Sequence, residues 1–369
     1  MPHCNKKAMT FVLTNECNLA CKYCYTSRCM EKQTLDIKFA KKAIEEYIGE
    51  DSRGELNHIR FFAAGEATLE FDLLKEIYYL CKEKCPNLIA ELQTNGVFGE
   101  KKAEWLGENM DIIWISFDLF PESQDMYRVT LNENPSSPYV KKTLMYFRDN
   151  PKKAMVGARS TITNHNLYRQ TEGIDFLISM GIKNIWVDPI FPPVESEEER
   201  YYEPIDPMEF ARQFVKARKY AKEHGVVYES NYTSSFDGEC IMNCRACIPI
   251  PHLTTDGYIS ACEMALFGKT PKHMDPMIYG KYDKHTDTII YDEEKINQLQ
   301  RRVLKNMPYD CQICVVRNHC AGFCLGECLN ETGSLFLIKT RVCKPMRYLY
   351  TLIGDDYSDN QKEYRYNHP

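Results

Sequence analysis

No apolar run in this chain approaches the roughly 20 residues that a membrane-spanning helix needs. Met1 to Lys7 lead into only a short apolar stretch before polar residues resume at Thr14, far short of the hydrophobic region of a secretory signal. The reading is therefore a cytoplasmic protein with no membrane partner. Positive charge is not in excess either. With 46 Lys and Arg against 52 Asp and Glu, the formal net charge is −6. That balance sets nucleic acid aside as a main partner, because phosphate-binding domains are usually basic. Internal repeats and low-complexity tracts are also missing. What the chain has in quantity is cysteine, 17 in 369 residues. Such a count fits a disulfide framework, a metal scaffold or redox sensors. A reducing cytoplasm rarely keeps disulfides, so metal binding is expected.

The cysteines that matter fall into two groups. Cys17, Cys21 and Cys24 are separated by three and two residues. Positions i, i+4 and i+7 share a helical face, and cysteine packs as a small apolar residue, so a short packed helix is one reading. The other is a loop leaving a strand, because Met9 to Leu13 is an apolar run and Asn15 and Asn18 are turn residues. In a loop, three thiolates could hold a four-iron cube by three corners and leave its fourth iron to a small molecule. In the second group, nine residues separate Cys247 from Gly257 and four more lead to Cys262. Cys311, Cys314, Cys320 and Cys324 follow with two, five and three residues between them, before a final Cys343. Cysteines two residues apart are also the knuckles of structural zinc sites. A zinc ribbon would need only four of them and would leave the first group unexplained; thiolates suit both metals, and only the whole constellation discriminates.

Between the groups, strand-like and helical segments alternate. Strands are expected at Ile59–Ala63, Ile89–Gln93, Ile112–Phe117, Met155–Thr161 and Ile185–Ile190. Helices are expected near Leu35–Glu50, capped by Thr34, and at Leu69–Lys84, Lys101–Asn109, Tyr139–Arg148, Glu172–Met180 and Met208–His224. Alternation of this kind predicts parallel βαβ units. Cys81 and Cys85 lie on an amphipathic helix and read as packing residues. The Pro-, Glu- and Tyr-rich run around 191–205 reads as a solvated loop, and Leu253 to Ser260 reads as a hairpin around Asp256-Gly257.

Taken together, these features resemble the radical S-adenosylmethionine (SAM) enzymes. Their signature is three cysteines at this spacing with an aromatic before the last, here Tyr23. The second group is similar to the seven-cysteine pattern of the SPASM domain that follows many of them. The resemblance implies an α/β fold, a partial (β/α)6 barrel over residues 1–235 and a cysteine-rich SPASM domain with two auxiliary iron–sulfur clusters over 236–369. It implies three 4Fe–4S clusters and SAM as cofactors, with a reducing partner such as flavodoxin or ferredoxin. Cys311, Cys314, Cys320 and Cys343 would carry the distal cluster. Cys247, Cys262 and Cys324 would carry the nearer one, completed by Cys244 or Cys240 or left with an open iron. The segment Phe61 to Thr68 resembles the family's Gly-Gly-Glu-Pro motif, with Gly65 and Glu66 kept to hold the SAM amino group, and Ala64 and Ala67 replacing its other two positions. Ser116 and Asp118 would meet the ribose, although the family's glycine after the aspartate is Leu119 here. Arg128, and after it Arg159, would meet the SAM carboxylate.

Glu263, directly after Cys262, stands where anaerobic sulfatase-maturing enzymes have an aspartate acting as general base, and the resemblance gives it that catalytic role. A carboxylate bonded near the cluster is the structural alternative. The implied activity is generation of a 5′-deoxyadenosyl radical that oxidatively modifies a side chain of a peptide or protein, forming a thioether or carbon–carbon crosslink in a ribosomally made peptide. Formylglycine formation in a sulfatase, modification of a small molecule and non-catalytic electron transfer are the alternatives.

Overall fold

The structure, a computed structural model, describes residues 8–24, 26, 31–52, 54–194 and 201–357; the middle of the expected loop, 195–200, and Cys4 and Cys29 lie outside them. Six strands run parallel and in sequence order: β1 (Met9–Val12), β2 (His58–Phe62), β3 (Ile89–Thr94), β4 (Ile112–Ser116), β5 (Met155–Ile162) and β6 (Asn184–Pro189). Between them lie α1 (Ile37–Tyr47), α2 (Phe71–Lys84), α3 (Glu100–Asn109), α4 (Pro121–Tyr127), α5 (Ser137–Asp149) and α6 (Gln170–Ser179). Strands β2 and β4 are buried along their whole length, as parallel strands with both faces covered must be. The helices cover them through apolar stripes such as Phe39, Ala40, Ala43 and Ile44 on α1. Cys81 is a fully buried member of the α2 stripe, and Cys85 caps that helix.

The α/β partial barrel is therefore the architecture, with local departures that have physical reasons. α1 is capped by Asp36, whose side chain accepts from the Lys38 amide, and not by Thr34. Thr34 bridges to Thr14, and the next amide, Leu35 N, donates to Leu13 O, so the chain still runs beside the end of β1 and cannot yet coil. A further helix, α7 (Pro207–Glu223), leads into β7 (Val227–Glu229), which adds a seventh parallel strand beside β6. At three residues, β7 carries too little pattern to be read from sequence.

The C-terminal part continues the same sheet. Strands β8 (His252–Leu253) and β9 (Tyr258–Ser260) form the expected hairpin, and β10 (Ile278–Asp283) and β11 (Thr288–Tyr291) extend it antiparallel. The hairpin turns through Gly257 at φ +84°, a conformation glycine adopts without strain. β8 pairs in parallel with β1, Thr10 opposite His252 and Phe11 opposite Leu253, giving one 11-stranded sheet. After β11, Cys311, Cys320, Cys328 and Cys343 lie in short helices with Cys314 and Cys324 between them, and the helix Cys343–Ile353 packs on α7. Among the described residues, no helix is long and apolar enough to cross a membrane.

Candidate active site

The cysteine loop leaves β1 as a loop, not a helix. Asn15 ends the strand by accepting from Gln33 N (2.8 Å) and donating to Glu31 O (2.8 Å). Asn18 donates to Val97 O (3.0 Å) and accepts from Asn95 Nδ2 (2.7 Å). Ala20 N and Lys22 N bond to Val129 O and Tyr127 O at the end of α4. The loop thus has anchors on three neighbours, and Cys17, Cys21 and Cys24 face a cavity of about 380 Å³. That cavity lies at the carboxyl ends of the parallel strands, where such folds place ligands. Its wall also includes Cys244, Cys262 and Cys324 from the second group.

Gly65 explains why the loop sits where it does. A Cβ there would lie 1.9 Å from Glu16 O and 2.8 Å from the Asn15 carbonyl carbon. Gly65 N donates to Thr14 O (3.2 Å) and Glu66 N to Glu16 O (2.7 Å). What approaches this glycine is the chain's own cysteine loop. Glu66 lines the cavity, yet its carboxylate already accepts from Thr68 N (3.0 Å), Thr68 Oγ1 (2.8 Å), Thr94 Oγ1 (2.6 Å) and Asn95 N (2.7 Å). It joins the ends of β2 and β3. Asn95, in the Leu92–Gly96 segment that resembles the family's ribose-lining stretch, also reaches Cys17 Sγ at 3.8 Å.

Asp118 does not face the cavity as a sugar-binding carboxylate would. It is fully buried, accepting from the Tyr23 hydroxyl, from Arg128 Nε (3.1 Å) and from Thr161 N (2.9 Å). The carboxylate therefore holds Arg128, whose guanidinium lies 5.3 Å from the Tyr23 ring centroid and lines the cavity with Ser116. Burial raises the Tyr23 phenol well above its ordinary range, keeping it a donor to Asp118. The turn that follows is made by Leu119 in the left-handed region at φ +69°, which costs a leucine about 1–2 kcal/mol. The turn fits because Gly173 has no side chain there: a Cβ at Gly173 would sit 2.4 Å from that of Leu119.

Glu263 reaches the cavity, but in company that the sequence did not reveal. Its carboxylate accepts from Arg60 on β2 and from Arg245, and His252 Nε2 lies 3.8 Å away. Burial, together with Arg245 and Arg60, pulls the His252 imidazole well below its usual range, so that ring is neutral and Glu263 answers two guanidiniums. Their side chains are 6% and 12% exposed. A general base must take up a proton, and a protonated Glu263 would strip two nearly buried cations of the carboxylate bonded to both, leaving buried Glu91 beside them. The geometry thus favours Glu263 as their counter-charge over the base role that the resemblance implied.

Two further charged residues line the cavity, Arg159 as expected and Asp188 unforeseen. Asp188, at the end of β6, accepts from Trp186 Nε1 (2.8 Å), Ser230 Oγ (3.0 Å), Asn231 N (2.8 Å) and Asn231 Nδ2 (2.9 Å). Burial nevertheless lifts it to about 6, against Arg159 and those donors. Its position at a strand end was the signal available. Arg159 also faces the cavity, donating to Gln93 Oε1 (3.2 Å), with Asp188 Oδ2 3.8 Å from its Nη2 and its guanidinium 5.7 Å from the Trp186 ring centroid.

The second cysteine group divides into two quartets. Cys244 raises the pKa of Cys247, Cys262 and Cys324 by its charge, so these four are neighbours; Cys311, Cys314, Cys320 and Cys343 act on one another in the same way. Of Cys244 and Cys240, Cys244 stands with the first quartet. Burial pushes Cys17, Cys247, Cys262 and Cys320 up to about 12 and Cys311 to about 11. Crowded, desolvated thiols suit a metal cluster, whose irons stabilise them as thiolates. Among the described residues no three His, Cys, Asp or Glu side chains converge on a single-ion geometry, and a cube held at its corners does not require it.

Residues 11–158, from β1 into β5, match the radical SAM superfamily. The chain carries a radical SAM domain. An uncharacterized protein of Methanocaldococcus jannaschii is 32% identical over 190 residues, which are 50% of this chain and 63% of that protein's length. Among solved structures, native anSMEcpe with bound AdoMet and Kp18Cys peptide has a TM-score of 0.74 at 14% identity, covering 95% of this chain and 97% of that one. Streptococcus suis SuiB bound to precursor peptide SuiA has a TM-score of 0.67 at 16% identity, covering 92% of this chain and 76% of that one. At such identities the likeness is one of fold, and it extends beyond the radical SAM domain through the cysteine-rich C-terminal part. A radical SAM domain implies one 4Fe–4S cluster and SAM.

Proposed function

We propose that this radical SAM enzyme oxidatively modifies a side chain of a peptide or protein, forming a thioether or carbon–carbon crosslink in a ribosomally made peptide. The observation that carries the reading is the single cavity walled by Cys17, Cys21 and Cys24 and also by Cys244, Cys262 and Cys324. A substrate there would meet both groups at once. Both solved structures named above contain a peptide, which supports a peptide here. Formylglycine formation in a sulfatase is the second reading, supported by the fuller coverage of anSMEcpe than of SuiB.

Cys17, Cys21 and Cys24 would hold the cluster that binds SAM, and the two quartets would hold auxiliary clusters, three in all. With SAM bound there, that cluster would supply the radical chemistry needed to remove a hydrogen atom from a substrate side chain. Gly65 and Glu66 set the loop and the adjoining strand ends. Arg128, oriented by Asp118 and Tyr23, would meet the SAM carboxylate, and Ser116 the sugar. Flavodoxin or ferredoxin would supply electrons in the cytoplasm, and the division between functions would fall near 235/236. Iron analysis after anaerobic reconstitution should find about twelve irons per chain; about four, or zinc in their place, would remove the auxiliary clusters. The function itself is tested by anaerobic reaction with candidate peptides and mass spectrometry for lost hydrogens. Unchanged masses with active SAM cleavage would remove the peptide reading.

Glu263→Gln separates counter-charge from base. Removing one partner of a nearly buried ion pair costs about 3–5 kcal/mol, so thermal unfolding should shift down markedly. A base would instead show parental stability and SAM cleavage, with product formation down about a hundredfold to ten-thousandfold. That second pattern would restore the catalytic role.

A further inference from the structure

The two cysteine quartets are joined by a link of three residues, Ala321, Gly322 and Phe323, between Cys320 of one and Cys324 of the other. All three are left-handed, at φ +39°, +87° and +63°. For the two that are not glycine this is a strained conformation, about 1–2 kcal/mol each, so something must hold it. Arg302 does. Its Nη2 donates to Gly322 O (2.8 Å), its Nη1 to Phe323 O (3.4 Å) and its Nε to Leu335 O (2.9 Å).

The Arg302 side chain is 0% exposed, and among the described residues it has no carboxylate partner. A buried cation without a counter-charge is expensive. Ligand thiols stand on both sides of it: the link it clasps runs from Cys320 of the second quartet to Cys324 of the first, and its side chain also contacts Cys247 of the first. Clusters ligated by four thiolates are net anions and would supply the missing negative charge.

We propose that Arg302 is a positioning residue shared by the two auxiliary cluster sites: it clasps the strained link between their ligands and sets the reduction potentials of both clusters with one fixed positive charge. The proposal rests on the two-cluster reading of the C-terminal quartets. Reduction adds negative charge to a cluster, and a nearby cation favours that state, so losing Arg302 should make both potentials more negative.

The test uses the full-length chain with Cys17, Cys21 and Cys24 replaced by alanine, so that only C-terminal clusters contribute. Iron per chain and midpoint potentials from redox titration followed by electron paramagnetic resonance are compared for Arg302, Arg302→Lys and Arg302→Gln. About four irons in the Arg302 form, where about eight are expected, would overturn the two-cluster reading and the proposal with it. With the expected iron present, both potentials should fall in the glutamine variant and stay near the parent in the lysine variant. Iron lost from the glutamine variant but kept by the lysine variant would equally support a role for the charge. Unchanged potentials in an iron-replete glutamine variant, a shift in one cluster only, or equal iron loss in both variants would overturn it.

Discussion

Replacing Cys17, Cys21 and Cys24 together with alanine is expected to abolish formation of 5′-deoxyadenosine from SAM while about eight of about twelve irons remain bound. The expectation follows from separate ligand sets. The first three thiols sit on the loop after β1, whereas the quartets are drawn from residues 244–343. The loop should also survive, because Asn15, Asn18, Ala20 and Lys22 anchor it, and no bond among those anchors is made by a cysteine. Iron analysis and chromatography of the SAM products check both halves. Undiminished cleavage would refute the assignment of the first group, and loss of all iron would show that the groups are not independent.

Gly65→Ala should act on the same site without touching a cysteine. The new methyl group would meet backbone at 1.9 Å, and backbone cannot swing aside as a flexible side chain does. Relief requires moving Glu16, the neighbour of Cys17, and breaking the two bonds that tie residues 65 and 66 to the loop. Forced overpacking costs about 1–3 kcal/mol, and a misplacement of about 1 Å at reacting groups costs about a hundredfold in rate. SAM cleavage should fall by at least that factor, with iron at the first site reduced and the C-terminal iron intact. Gly99→Ala is the control, since its Cβ would meet nothing within 4 Å; it should keep parental cleavage. Parental activity in Gly65→Ala would show that the loop moves freely.

The strand and helix order was legible because each parallel strand is a short apolar run and each helix repeats its stripe every three or four residues. The cysteine groups were legible because their spacings are local. What escaped the sequence are contacts between distant positions. Tyr23 and Asp118 are 95 residues apart, and Arg60 and Glu263 are 203 apart, so nothing in either neighbourhood announces the pairing. α4 was missed because seven residues hold too few turns for periodicity. Arg302 belongs to no motif, and its importance appears only when three carbonyls converge on it. Leu119 was flagged by its departure from the family's glycine, yet what accommodates it, Gly173, lies on another helix.

The parallel contact between β8 and β1 also protects the molecule from itself. An open barrel ends in a bare edge, and β1 is an unusually hazardous one: four residues, all buried, with Phe11 and Val12 among them. Unpaired backbone along such a strand is a template for adding a foreign strand. His252 and Leu253 occupy that place, and Thr10 N donates to Pro251 O at 2.9 Å. A chain cut anywhere between β7 and β8 would uncover the edge and tend to associate with its copies through it, so the barrel would be recovered as aggregate even with its cysteine loop complete.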